Sequence, residues 1–165
     1  MGDGMGNQLD LLGNFSVAPA ATQPVPVPEP RADFDSGPTS LLILDTETSG
    51  LDPEVDSCLE VGAILFDVAS RSVLAQQSFL LPVDTNAAEA INRIPAAVTR
   101  LPQPWSEGLR WFQLLVEAAD VLVAHNAAFD RQWFGRGALP PLERPWLCSM
   151  EDIRWPADRQ LRLRP

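Results

Sequence analysis

The sequence predicts an α/β sandwich built on a mixed sheet, and three observations carry that prediction. Three apolar runs, beginning near Leu41, Leu59 and Ser72, follow one another with short connections, as the strands of an antiparallel meander do. Trp105 to Ala119 then carries Leu109, Phe112, Leu115, Val116 and Ala119 at the spacing of a helix face turned towards a core. Asp120 to Ala124 is a further apolar strand, ahead of a helix over Ala127 to Gly135. A meander, helices, a strand and a helix, in that order, call for a sheet with helices packed on its faces.

Each element has a local reason. Leu41-Leu42-Ile43-Leu44 is too short for a lone helix and suits a buried first strand, which runs into Asp45-Thr46-Glu47. Leu59 to Val68 reads as a second strand, buried along most of its length. Ala69 to Ser72 makes a tight turn, Ser72 to Leu81 a third strand, and Pro82 ends it. Asn86 to Ala90 is a loop or a short helical turn, and Pro95 opens a short helix. Trp105 and Trp111 read as packing residues at the ends of the long helix. Leu147 to Met150 forms a short fifth strand, because Pro140, Pro141 and Pro145 forbid anything longer nearby.

At 165 residues with 45% hydrophobic content, the chain holds one domain with a real core. Residues 1–38 read as a disordered leader rich in proline, 39–156 as the folded domain and 157–165 as a frayed tail. The net charge of -10 is the wrong sign for holding nucleic acid by electrostatics alone. It does not exclude cleavage with bound cations, which invert the local field. Cys58 and Cys148 make neither a metal spacing nor a disulfide framework and are expected to be small buried residues in a reducing compartment. No run reaches transmembrane length and the N-terminus lacks a secretory pattern, so the expected location is cytoplasmic, with no membrane partner.

The chemistry concentrates at two strand ends. Asp45 and Glu47 stand at i, i+2 on an extended chain, so both point to one face. Paired carboxylates repel, and a hard divalent ion with oxygen ligands, magnesium or manganese, relieves that repulsion. Val121 to Asp130 repeats the pattern: an apolar strand runs into His125-Asn126 and a third carboxylate, Asp130.

D-T-E-T-S-G-L followed by V-A-H-N-A-A-F-D resembles the first two motifs of the DEDD 3'-5' exonucleases, a superfamily that includes the proofreading subunit of bacterial DNA polymerase III and ribonuclease T. The resemblance covers roughly residues 41–154. It implies a ribonuclease H-like fold and hydrolysis at the 3' ends of single-stranded nucleic acid, with DNA the expected substrate. Two Mg2+ or Mn2+ ions, about 4 Å apart, are implied as cofactors. By the same resemblance Asp45 bridges both ions, Glu47 holds the nucleophile-side ion and Asp130 the second. Thr48 and Leu51 are expected to line the pocket for the terminal nucleotide, beside Asn126 and Phe129. Phe129 packs either on a sugar or base, or in the core. His125 is either a substrate or outer contact, or a hydrogen-bonded histidine at a strand end.

The family's third motif, a fourth aspartate preceded by a histidine or tyrosine base, has no match. After Asp130 only Asp152 and Asp158 remain, and neither sits in an H-x-x-x-x-D pattern. The expectation is therefore an exonuclease domain without its C-terminal part, with little or no exonuclease activity. The rival readings are a non-catalytic, replication-associated module with a degenerate exonuclease fold, and a fragment of a longer gene product. Gln8-Leu9-Asp10-Leu11-Leu12 resembles the Q-L-x-L-F peptides by which bacterial replication proteins dock on the sliding clamp, which makes that clamp an expected partner.

Overall fold

The computed structural model describes residues 37–156. The Gln8–Leu12 peptide, nearly all of the leader, Asp158 and the tail lie outside them. Five strands form one mixed sheet in the order β3-β2-β1-β4-β5. They are β1 (Ser40–Thr48), β2 (Cys58–Asp67), β3 (Ser72–Leu80), β4 (Val121–Ala124) and β5 (Trp146–Cys148). The first three are antiparallel, whereas β4 runs parallel to β1, and β5 parallel to β4. This is the mixed α/β sheet that the strand order in the sequence predicts.

Alternation along β1 decides which face is core. Leu42, Leu44, Thr46 and Thr48 are buried, whereas Ile43 and Asp45 are exposed and Glu47 is half-buried. The buried face receives α3 (Trp105–Ala118), whose Phe112, Leu115 and Val116 are buried, as the helical spacing predicts. Phe112 is fully buried and packs its ring against Phe79 of β3 and Phe134. Gly108 permits that approach, since a Cβ there would lie 2.8 Å from the Cβ of Phe79. Trp105 packs on the core from the helix start. Trp111 does not; it is 47% exposed, because its place on the helix turns it away from the sheet.

The remaining differences are local. The predicted helix over Ala127 to Gly135 is only α4 (Ala127–Arg131), and Gly135 takes a left-handed φ of 86° instead of continuing it. Between Pro82 and Trp105 lie two single turns, α1 (Glu89–Asn92) and α2 (Ala96–Thr99), the second capped by Pro95. Both cysteines are buried and free, as expected. No helix among the described residues is long and apolar enough to cross a membrane.

One contact ties the two parallel strands together at their starts. Asp120, just before β4, accepts hydrogen bonds from the N–H groups of Thr39 and Ser40 and from the Thr39 hydroxyl. These donors hold its carboxyl down at about 2, below the model-compound value of 3.8. The folded state therefore favours the ionised form. The stability it contributes is complete above 3.8 and is lost as pH falls towards 2. Asp120→Ala is expected to lower the urea midpoint at neutral pH, by a small amount because the site is exposed, and to leave it almost unchanged at the acid end, as urea melts at the two pH values would show.

Candidate active site

Because β1 and β4 are parallel neighbours, their C-terminal ends open on the same edge of the sheet, where open α/β sheets place their sites. Asp45 and Glu47 project there from the face of β1 opposite the core. The antiparallel register sets Glu47 directly across from Glu60 of β2. Directly opposed residues share a face, and like charges so placed repel. The sequence reading missed Glu60. Its signal was present, a lone carboxylate in the apolar run Cys58-Leu59-Glu60-Val61. The Glu60 side chain accepts a hydrogen bond from the Ser78 hydroxyl on β3.

Asp130 approaches from α4 and is 2% exposed. Its Oδ1 accepts two bonds of 2.9 Å from Thr46, one from the backbone N–H and one from the hydroxyl. Thr46, the residue between the paired carboxylates, thus points inward and fastens the third carboxylate beneath them. This is the physical use of the middle position in Asp45-Thr46-Glu47.

The electrostatics show crowding. Burial raises the Asp45 carboxyl, Glu60 raises it further, and the His125 charge and the Thr46 N–H lower it. Glu47 is raised by burial, then by Asp45 and Glu60. Asp130 is pushed up to about 6, by burial first and by Asp45, against the pull of Thr46. The Cys58 thiol is pushed up to about 12 by burial, helped by Asp130, Glu60 and Glu47, so it is no nucleophile. Among the described residues no arginine forms an ion pair with these carboxylates; Arg136 pairs with Glu54 instead.

The other candidates are spread unevenly around this cluster. Thr48 is buried; its hydroxyl donates to the Gly50 carbonyl at 2.6 Å, and its own carbonyl accepts from Asn92 at 2.9 Å. Leu51 is 80% exposed in the following turn. Asn126 takes a left-handed φ of 60° and caps α4 without a side-chain hydrogen bond. Phe129 is half-buried and meets Trp133 edge-on at 5.9 Å, a packing role. His125 is exposed, with Nδ1 3.1 Å from the Ser149 hydroxyl. Asp152 is spent on a turn, its carboxylate accepting the Cys148 N–H at 2.7 Å.

Among the described residues no three histidine, cysteine or acidic side chains converge as a ready metal-binding group. The donor set nevertheless fits a hard divalent cation. It consists of carboxylate oxygens, it carries opposed like charges, and among the described residues no arginine pairs with it.

A mixed five-stranded sheet in this order, with helices packed on it, is a ribonuclease H-like fold. The sequence matches the exonuclease family RNase_T over residues 42–137, more than half of the chain, and the protein belongs to that family, within the DEDD-type 3'-5' exonuclease superfamily. Among curated proteins it is 27% identical over 128 residues to the PolC-type DNA polymerase III of Thermotoga maritima. It is 27% identical over 121 residues to the PolC-type enzyme of Thermotoga petrophila. These alignments cover 72% and 67% of this chain but 9% and 8% of the polymerases. Among solved structures it is similar to E. coli Exonuclease I in complex with a 5cy-dA13 oligonucleotide, with a TM-score of 0.55 and 19% identity over 72% of this chain and 32% of that one. A zinc-bound Exonuclease I–ssDNA complex gives a TM-score of 0.53 and 18% identity over 73% of this chain and 32% of that one.

Proposed function

We propose that the chain is a metal-dependent nuclease that hydrolyses phosphodiester bonds at the 3' ends of single-stranded nucleic acid, DNA in the first place. The observation that carries this is the direct opposition of Glu47 and Glu60 beside Asp45, with Asp130 fastened to Thr46 between the two β1 carboxylates and, among the described residues, no arginine paired to any of them. Asp45, Glu47 and Asp130 would hold Mg2+ or Mn2+, with Glu60 as the fourth carboxylate at the edge. Bound there in pairs, such ions supply an activated water and steady the leaving oxygen.

The chain's own residues do the rest. Thr46 keeps Asp130 in place through Oδ1, which fixes the buried carboxylate under the residue that separates Asp45 and Glu47. Leu51 and the Thr48 backbone border the path of the terminal nucleotide, with Asn126 on the β4 side. The net charge of -10 repels bare phosphates, so strand binding depends on the cation. Gln8–Leu12 is proposed to dock on a sliding clamp, raising local concentration at DNA through the leader.

The test is a 3'-labelled single strand incubated with the protein and manganese. Slow, manganese-dependent release of mononucleotides, reduced about 100-fold or more in Glu47→Gln, is the expected result. Manganese-dependent strand binding without release would identify the non-catalytic module instead.

A further inference from the structure

The residues that follow β4 and β5 sit side by side, because Ala124 and Cys148 are partners in the parallel ladder. The Ser149 N–H donates to the Ala124 carbonyl at 2.9 Å, and the Ser149 carbonyl accepts the Trp155 indole N–H at 2.5 Å. The turn beyond is closed by Asp152, whose carboxylate takes the Cys148 N–H and whose own N–H donates to the Cys148 carbonyl at 2.8 Å. The Ser149 backbone is therefore fixed on both sides, and its hydroxyl is delivered to His125 Nδ1 at 3.1 Å.

We infer that Ser149 is a positioning residue, which fixes the tautomer and orientation of the His125 imidazole at the edge of the carboxylate cluster. The partner of one ring nitrogen decides which nitrogen carries the proton and how the ring stands. His125 directly follows β4, at the sheet edge where the parallel neighbour β1 ends in Asp45 and Glu47. A strand phosphate entering there meets the imidazole in one orientation and not in an average of several. Nothing in the sequence pairs residues 125 and 149; the β4–β5 register does. This inference rests on the reading of the cluster as a nuclease site.

The chain has a single histidine, so its imidazole signals in NMR are unambiguous. At a pH where the ring is neutral, Ser149→Ala is expected to shift the ring nitrogen signals and the tautomer balance they report, and Ser149→Thr to keep them. The dissociation constant for a single-stranded oligonucleotide in manganese is expected to rise about tenfold in Ser149→Ala and about tenfold in His125→Ala. The double variant is expected to be no worse than either, because both remove one contact. Folding should survive, since the ladder and indole bonds of Ser149 use backbone atoms. Unchanged ring signals in Ser149→Ala, or losses that add in the double variant, would overturn the inference. Wild type that binds no oligonucleotide in manganese, with ring signals that still respond, would overturn the nuclease reading and leave the positioning contact standing.

Discussion

Asp130→Asn is expected to make the cation-free protein more stable at neutral pH, by on the order of 2 kcal/mol, while removing its response to manganese. The sign follows from the shift. In the folded chain the Asp130 carboxyl is pushed up to about 6, whereas the model-compound value is 3.8. Between those values the folded state holds a proton that the unfolded state has released. Stability is therefore complete below 3.8 and declines as pH rises to about 6, above which the loss is constant. Asparagine removes the charge and keeps an oxygen for the two donors of Thr46. Thermal melts in chelator should thus converge for the two proteins in acid and separate through that window. Manganese should then lift wild type alone, as any ligand of the folded state does. A variant less stable than wild type at every pH would show that the buried charge is not a burden on the fold.

The largest loss of stability is expected at Phe112. Its ring is fully buried, packs at 6.2 Å from Phe79 and at 5.7 Å from Phe134, and joins α3 to the sheet beneath the site. Phe112→Ala removes the ring and leaves a cavity that the neighbours fill only in part, which costs about 3–5 kcal/mol. Folded domains hold about 5–15 kcal/mol in all, so the variant should sit near the edge of unfolding. Urea denaturation followed by tryptophan fluorescence would measure it. Phe112→Leu, closer in volume, should recover most of the loss.

Sequence patterns revealed the parts of the fold that obey a period. The i, i+3, i+4 spacing in α3 placed Phe112, Leu115 and Val116 in the core, and the apolar run before Asp45 marked the central strand. The same alternation put Asp45 and Glu47 on one face. What escaped was fixed by register and by competition among neighbours. Glu60 joins the cluster only because β2 pairs with β1 in the register Glu47–Glu60, and no feature within either strand announces that pairing. Ser149 meets His125 for the same kind of reason across β4 and β5. The helix α4 stops after five residues and the chain continues in turns to Gly135, whose left-handed φ of 86° closes off any longer helix. Trp111 was misplaced because aromatic character alone suggests burial, whereas its angular position on α3 faces solvent.

On the proposed reading, the carboxylates that oppose one another where β1 and β2 pair take up a divalent cation. Calorimetric titration of manganese into wild type and Asp45→Asn tests it most directly. Saturable binding to wild type that strengthens as pH rises and carboxylates lose protons is expected, with binding at least about tenfold weaker in the variant. Equal affinity in the two proteins would contradict it.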